Sequence, residues 1–329
     1  MNSSPRPGSL LPASTLAPAQ KAVGWFFQPV ALGRVAVMRF LAGAFIWVDW
    51  WWYMPWIIGH RHVPGELYQP LFIARVLPVF PVPNYWIVVG TLVVLLAASV
   101  PMMFGKAPRL FGWIVAAAYF EWMIIAMSYG KVDHGKFAFL LLLFLLPTMP
   151  KARWGDRRNL SEHVGWGFNL VQIGVVCTYF FAAWAKIRYG GWEWLNSATM
   201  TWAIIRRGTE FSNWLLDFPG LLRASQWGMV GFELLSPVVM FVAAKRLKYG
   251  IVAFFYCFHL TVFLAVEISF LNHMVAMACF LPLERIRPRE LIRDLPRLPG
   301  LVRRKLQARK AVPAQGGPAE PSREAEPAS

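Results

Sequence analysis

Six ionisable side chains stand where apolar runs of this sequence begin or end: Asp49, Asp133, His134, Lys186, Glu267 and His273. His259 lies inside such a run, eight residues before Glu267 and so close to a whole number of helical turns from it. A primary amine, imidazoles and carboxylates are the groups with which a protein moves protons. An ammonium is no base, but burial among apolar rings penalises the charged form and favours the free amine. In "FFAAWAKIRYGGWEW" the rings placed to do this to Lys186 are Phe180, Phe181, Trp184 and Trp192. An amine of this kind could take a proton from a lipid-soluble acid such as a quinol. His134 and His259 would hold or relay that proton, and Asp133 or Glu267 would orient a ring. The same residues also fit plainer roles. Lys186 and Arg188 can lay their stems along apolar surface with the heads at an interface, Asp133 can cap a helix, and Arg39 and Asp49 can pair with other helices. Glu121 and Glu233 are candidates to pair with Arg39 or to stand protonated in the core. His60 and His62 in "GHRH" have no third ligand nearby, so no metal site is expected. No G-x-S-x-G, H-E-x-x-H, Walker or dinucleotide motif is present.

The elements that would carry these groups are membrane helices. Charged residues make up only 15% of the chain, against about 25% in soluble domains. Hydrophobic residues reach 57% and there are 17 tryptophans, the residue that favours bilayer interfaces. The net charge of +16 does not imply nucleic acid, because 11 of the 33 Lys and Arg residues fall from Arg285 onward, as in a juxtamembrane segment that meets anionic lipid. Cys177, Cys257 and Cys279 all lie in apolar runs and read as core filler, not as a disulfide framework.

A crossing helix needs about 20 apolar residues. The sequence predicts an all-α polytopic membrane protein of about eight transmembrane helices, near 35–54, 84–104, 110–129, 134–149, 166–186, 225–244, 248–266 and 268–283. The fourth and eighth are short. Residues 195–218, broken by Arg206, Arg207 and Gly208, read as an interfacial or re-entrant piece. With eight spans, 23 basic residues fall on the side of the termini and nine on the other, so both termini are expected in the cytoplasm. The six end-of-run groups then share the outer leaflet. Residues 1–29 are expected to be a disordered tail without a cleaved signal peptide, 30–285 the membrane domain, and 286–329 a basic juxtamembrane segment and disordered tail.

Three stretches carry a family resemblance. "YFFAAWAKIRYGGWEWLNSATM" (179–200), "DHGKFAFLLLLFLLPTMP" (133–150) and "CFHLTVFLAVEISFLNHMVAMACFLPL" (257–283) resemble, in the same order, motifs of the HTTM (horizontally transferred transmembrane) domain, which is shared with vitamin K-dependent gamma-carboxylase. The resemblance covers about residues 30–285. It implies that Lys186 is the base acting on reduced vitamin K or a menaquinol-type quinol, with carbon dioxide and oxygen as co-substrates. It implies further that His134 and the Phe258–His259 pair are family histidine positions. Ala185 stands where the carboxylase has a further lysine. The carboxylase also carries a large lumenal domain after its membrane part, and here only a short basic segment follows the last predicted span. The family includes peptide-maturation proteins similar to the sporulation-delaying protein B. The alternative implied is therefore a non-enzymatic accessory for peptide maturation, export or immunity. Membrane lipids and a peptide or protein substrate are the expected partners, and a bacterial cytoplasmic membrane is the expected location.

Overall fold

The computed structural model describes residues 23–286 apart from 78 and 131. The expected tail arginines and Lys131 lie outside the described residues. The described residues up to Arg285 form one compact unit.

The described chain is mostly helical. We label its principal helices α1 (Gly33–Tyr53), α2 (Tyr85–Met103), α3 (Pro108–Met127), α4 (His134–Leu145), α5 (Glu162–Gly190), α6 (Thr199–Arg207), α7 (Pro219–Leu235), α8 (Lys245–Val266) and α9 (Leu271–Phe280). Five of these, α1, α2, α3, α5 and α8, are long and apolar enough to cross a membrane. The other three predicted spans are shorter helices. α4 ends at Leu145, before the "LPTMP" segment in which Pro147 and Pro150 cannot donate to a helix. α9 is likewise short, and α7 stops at Leu235 before Ser236 and Pro237, with only Val238–Phe241 helical beyond. The count of eight spans therefore does not follow from helix length.

Local chemistry sets the starts and stops. Asn84 caps α2, its side-chain oxygen accepting from the amides of Trp86 (2.9 Å) and Ile87 (3.1 Å). Pro108 opens α3, where its missing N–H costs nothing. α5 ends at Gly190, and Gly191, with a positive φ of 66° that glycine adopts freely, turns the chain back so that Leu195 packs on Ala183 and Val230. The last turn of α1, Asp49–Tyr53, widens into a π-helical turn. Such turns re-aim side chains and recur at functional sites. Here the turn leaves Asp49 buried while Trp51 and Trp52 face outward.

α1, α2, α3, α4, α5 and α9 surround one main core that includes Phe45, Trp122, Phe139, Phe168 and Tyr179. Arg39, inside α1 and almost wholly buried, donates to the carbonyls of Leu146 (3.1 Å) and Met149 (2.9 Å). It thereby serves the unpaired carbonyls at the end of α4. It has no carboxylate partner among the described residues, so the expected pairing with Glu121 or Glu233 is not formed. α6 is the amphipathic part of the expected 195–218 segment. Its Ile204 is buried with Leu222 and Val266, and Arg206 and Arg207 are exposed.

The two ends of the bundle differ. At one, a short antiparallel pair, β1 (Val30–Ala31) and β2 (Leu160–Ser161), ties the entry of α1 to the entry of α5. Of the described residues in the expected tail, Trp25 and Phe26 are half-buried here, and the Asn169 amide donates to their carbonyls (2.9 and 3.0 Å). Arg34 grips Glu284 with two bonds at the same end, Nε to Oε2 at 2.9 Å and Nη2 to Oε1 at 3.2 Å. Burial pushes the Glu284 carboxyl up, but the bonds and charge of Arg34 outweigh it and hold the group below its ordinary 4.5. A carboxylate held low when folded stabilises the fold above its unfolded value, and that contribution is lost as pH falls through the folded value. Glu284→Gln is therefore expected to flatten the loss of thermal stability below about pH 4.3, read as the unfolding midpoint against pH. An unchanged acid limb contradicts this role.

Candidate functional site

The opposite end of the bundle gathers the buried polar groups. Lys186, in the last turns of α5, meets Glu233 of α7 at 2.5 Å, and its side chain is 23% exposed against 8% for Glu233. The nearest ring to its Nζ is that of Trp194, at 5.7 Å. The rings expected to seal the lysine do not. Phe181 (59% exposed), Trp184 (53%) and Trp192 (64%) lie on the outer surface of the bundle, because α5 turns that face away from its neighbours. Phe180 is half-buried and packs on Phe181.

Seven residues before Lys186, and so nearly two turns deeper on the same face, is Tyr179. Its hydroxyl lies 2.5 Å from His259 Nε2 and 3.3 Å from Met277 Sδ. When the tyrosine donates to Nε2, the imidazole proton must sit on Nδ1. His273 stands at the far side, its ring 4.9 Å from Tyr179 and 5.4 Å from His259. Both histidines are buried, and His259 Nδ1 and both nitrogens of His273 have no hydrogen-bond partner among the described residues. Phe232, Phe255, Phe258 and Phe270 pack around this group. An unpaired buried polar atom costs about 1–3 kcal/mol, so three such nitrogens in one place mark this cluster as the candidate site. Glu233 is near enough to Tyr179 for their charges to interact. No hydrogen bond joins Tyr179 to Glu233 among the described residues, so the polar file along α5 has the lysine pair at one end, the imidazoles at the other and a gap between.

A second buried cluster adjoins it. Lys136, at the opening of α4, is wholly buried and lies 3.8 Å from Asp49 Oδ1 and 4.1 Å over the ring of Tyr53. Tyr119 donates to the other Asp49 oxygen at 3.1 Å. The turn before α9 links the clusters. Tyr53 donates to the carbonyl of Ser269 (2.5 Å) and the Asn272 amide to that of Gly135 (2.8 Å), while Phe270 packs on His259.

Of the residues singled out from sequence, the structure brings together Lys186 with Glu233 and His259 with His273, and it sets Asp49 against Lys136, which was not among them. Asp133 acts as a cap, Oδ1 accepting from the Gly135 amide at 3.0 Å. His134 is exposed, yet near enough to His273 for charge to couple them. Glu267 orients no ring. It ends α8 in the left-handed conformation (φ 54°) with an exposed side chain. Glu121 is not among the clustered groups. Among the described residues no set of three His, Cys, Asp or Glu side chains is placed to hold a metal. Two cavities, of about 770 and 630 Å³, open on the surface, and neither is lined by Lys186, His259 or His273. Sequence reasoning missed Lys136 and Tyr179. The signals for them were a lysine immediately before nine apolar residues, and a tyrosine one heptad before the key lysine.

No family model, curated protein or solved structure matches this chain. The arrangement must therefore be interpreted from its own chemistry.

Proposed function

We propose that the chain is an integral membrane enzyme resembling the vitamin K-dependent carboxylase, and that it takes protons from a quinol-like, lipid-soluble cofactor. In this reading the shorter helices complete eight crossings, both termini are cytoplasmic, and the protein resides in a bacterial cytoplasmic membrane. The excess of basic residues on the side of the termini supports that orientation.

The observation that carries the reading is the trio of unpaired imidazole nitrogens on His259 and His273 within a shell of phenylalanines. A quinol head is a flat apolar ring with hydroxyls on its edge. Its ring suits the aromatic shell, and its hydroxyls match nitrogens that can accept or donate. A reduced quinol, when bound, supplies an acidic hydroxyl and two reducing electrons; carbon dioxide and oxygen are the co-substrates that the resemblance implies. The chain's own part is to receive the proton. His259 Nδ1 accepts it in the tautomer whose Nε2–H donates to the Tyr179 oxygen; Nε2 then releases its proton to that oxygen, and the Tyr179 hydroxyl gives up its own toward the Glu233–Lys186 pair at the rim. Lys186 enters as one half of a shared-proton pair with Glu233, not as an amine sealed by its own aromatic neighbours.

The contact between Lys186 and Glu233 also favours a second reading, a scaffold in which the same pair merely ties α5 to α7. Polar ties between membrane helices average about 0.6 kcal/mol. A photoreactive menaquinone analogue incorporated with the purified protein into liposomes separates the two. Labelling concentrated on 177–195 and 254–277, and competed by unmodified menaquinone, is expected for the enzyme. Uniform or uncompeted labelling contradicts it.

A further inference from the structure

At the opposite end of the bundle lies the cavity of about 770 Å³, and its charge is one-sided. Arg34, Arg157, Lys245, Lys248 and Arg285 line it against a single carboxylate, Glu284. That carboxylate is already committed to Arg34. The guanidinium of Arg157 is held in place by the carbonyls of Glu284 (3.2 Å) and Arg285 (3.0 Å), which orient it without neutralising it. Lys245 and Lys248 have no ion pair or hydrogen bond from their side chains to any described residue. They sit in the first turn of α8, which no side chain caps. A helix N-terminus is the positive end of the helix dipole and disfavours cations. Two lysines there, one half-buried, raise the energy of the fold unless an anion sits among them. The cavity is not wholly polar. Met240, Phe241 and Phe280 form part of its wall, and Phe241 is 85% exposed on the outside of the bundle.

A phosphate group set against an apolar exit is the shape of a phospholipid, and the height of the cavity fits. Arg34, Lys245 and Lys248 stand in the first turns of α1 and α8, two helices long enough to cross a bilayer, so these three lie where headgroups lie. We propose that this cavity is a binding site for the headgroup of an anionic phospholipid, with Lys245 and Lys248 on the phosphate, Arg157 beside it, and an acyl chain leaving past Phe241. The site stands apart from the quinol reading and survives its failure.

The test is native mass spectrometry of the full-length chain, delipidated in detergent and titrated with dioleoyl phosphatidylglycerol, dioleoyl phosphatidylcholine or inorganic phosphate. The wild-type chain is expected to hold one phosphatidylglycerol with a clear preference over phosphatidylcholine. The double variant Lys245→Ala/Lys248→Ala is expected to weaken phosphatidylglycerol binding about thirtyfold, the effect of two lysines facing an anionic lipid. Lys245→Arg/Lys248→Arg is expected to keep the preference, which separates lost charge from a damaged fold. Equal binding of the two lipids, or an alanine variant that keeps the preference, overturns the proposal. Displacement of the lipid by inorganic phosphate at equal concentration overturns it too, because the site would then take a free anion.

Discussion

Lys136→Met lowers the stability of the folded chain by about 3–5 kcal/mol, the loss expected when one partner of a buried ion pair is removed. Among the described lysines only this one is buried. The ammonium sits 3.8 Å from Asp49 and 4.1 Å above the Tyr53 ring, with Asp49 also holding the Tyr119 hydroxyl at 3.1 Å. The cost has a definite origin. Once the lysine is gone, the Asp49 carboxylate is enclosed in a medium that solvates charge poorly, and one tyrosine hydroxyl does not compensate it. Asp49→Leu combined with Lys136→Met is expected to recover much of the loss, because neither charge is then stranded. The unfolding midpoint in a mild detergent, compared across the three variants, reads this out. A single variant within about 0.5 kcal/mol of wild type contradicts a charged pair at this position.

His259→Ala has the largest expected effect on activity. A positioned acid or base contributes about 10²- to 10⁴-fold to a rate, and His259 is the group through which the Tyr179 hydroxyl and the unpaired nitrogens communicate. Tyr179→Phe keeps the ring contacts with Phe232 and Phe255 but removes the hydroxyl, so it interrupts proton passage with little loss of packing. At the rim the decisive comparison is Lys186→Ala with Lys186→Arg. A guanidinium keeps the positive charge opposite Glu233 but cannot give up its proton. A structural tie survives the arginine, whereas proton exchange does not.

How much of this was legible in the sequence depends on the physics that each feature records. Hydrophobic length is a direct record of the bilayer, so the five long helices were legible from their apolar runs. The bend at Asp49–Tyr53 and the interruption at Pro237 were not read correctly in advance, because both depend on how neighbours satisfy the backbone. The polar file was legible in part. Its members stand out as ionisable groups in apolar surroundings, a costly placement that sequence exposes at once. Which group meets which was not legible. Lys186 was read against its own helix, through Phe181, Trp184 and Trp192, but those rings face outward and its partner comes from α7. Lys136 could not be singled out, since nothing local signals that the turn after Asp133 carries it inward toward Asp49. Pairings between helices are set by rotation and crossing of the helices, and one helix's sequence does not contain them.

The central claim is that the file from His273 through His259 and Tyr179 to Glu233 and Lys186 carries a proton away from a bound quinol. The measurement that bears on it most directly is the rate of menaquinol oxidation by the purified chain in liposomes, with wild type, His259→Ala, Lys186→Arg and Lys186→Ala assayed together and their folding verified by unfolding midpoint. The account predicts turnover by wild type and a fall of about 10²- to 10⁴-fold in all three variants at near-native stability. Lys186→Ala or His259→Ala oxidising the quinol as fast as wild type would contradict it, and so would a wild-type protein with no quinol oxidation at all.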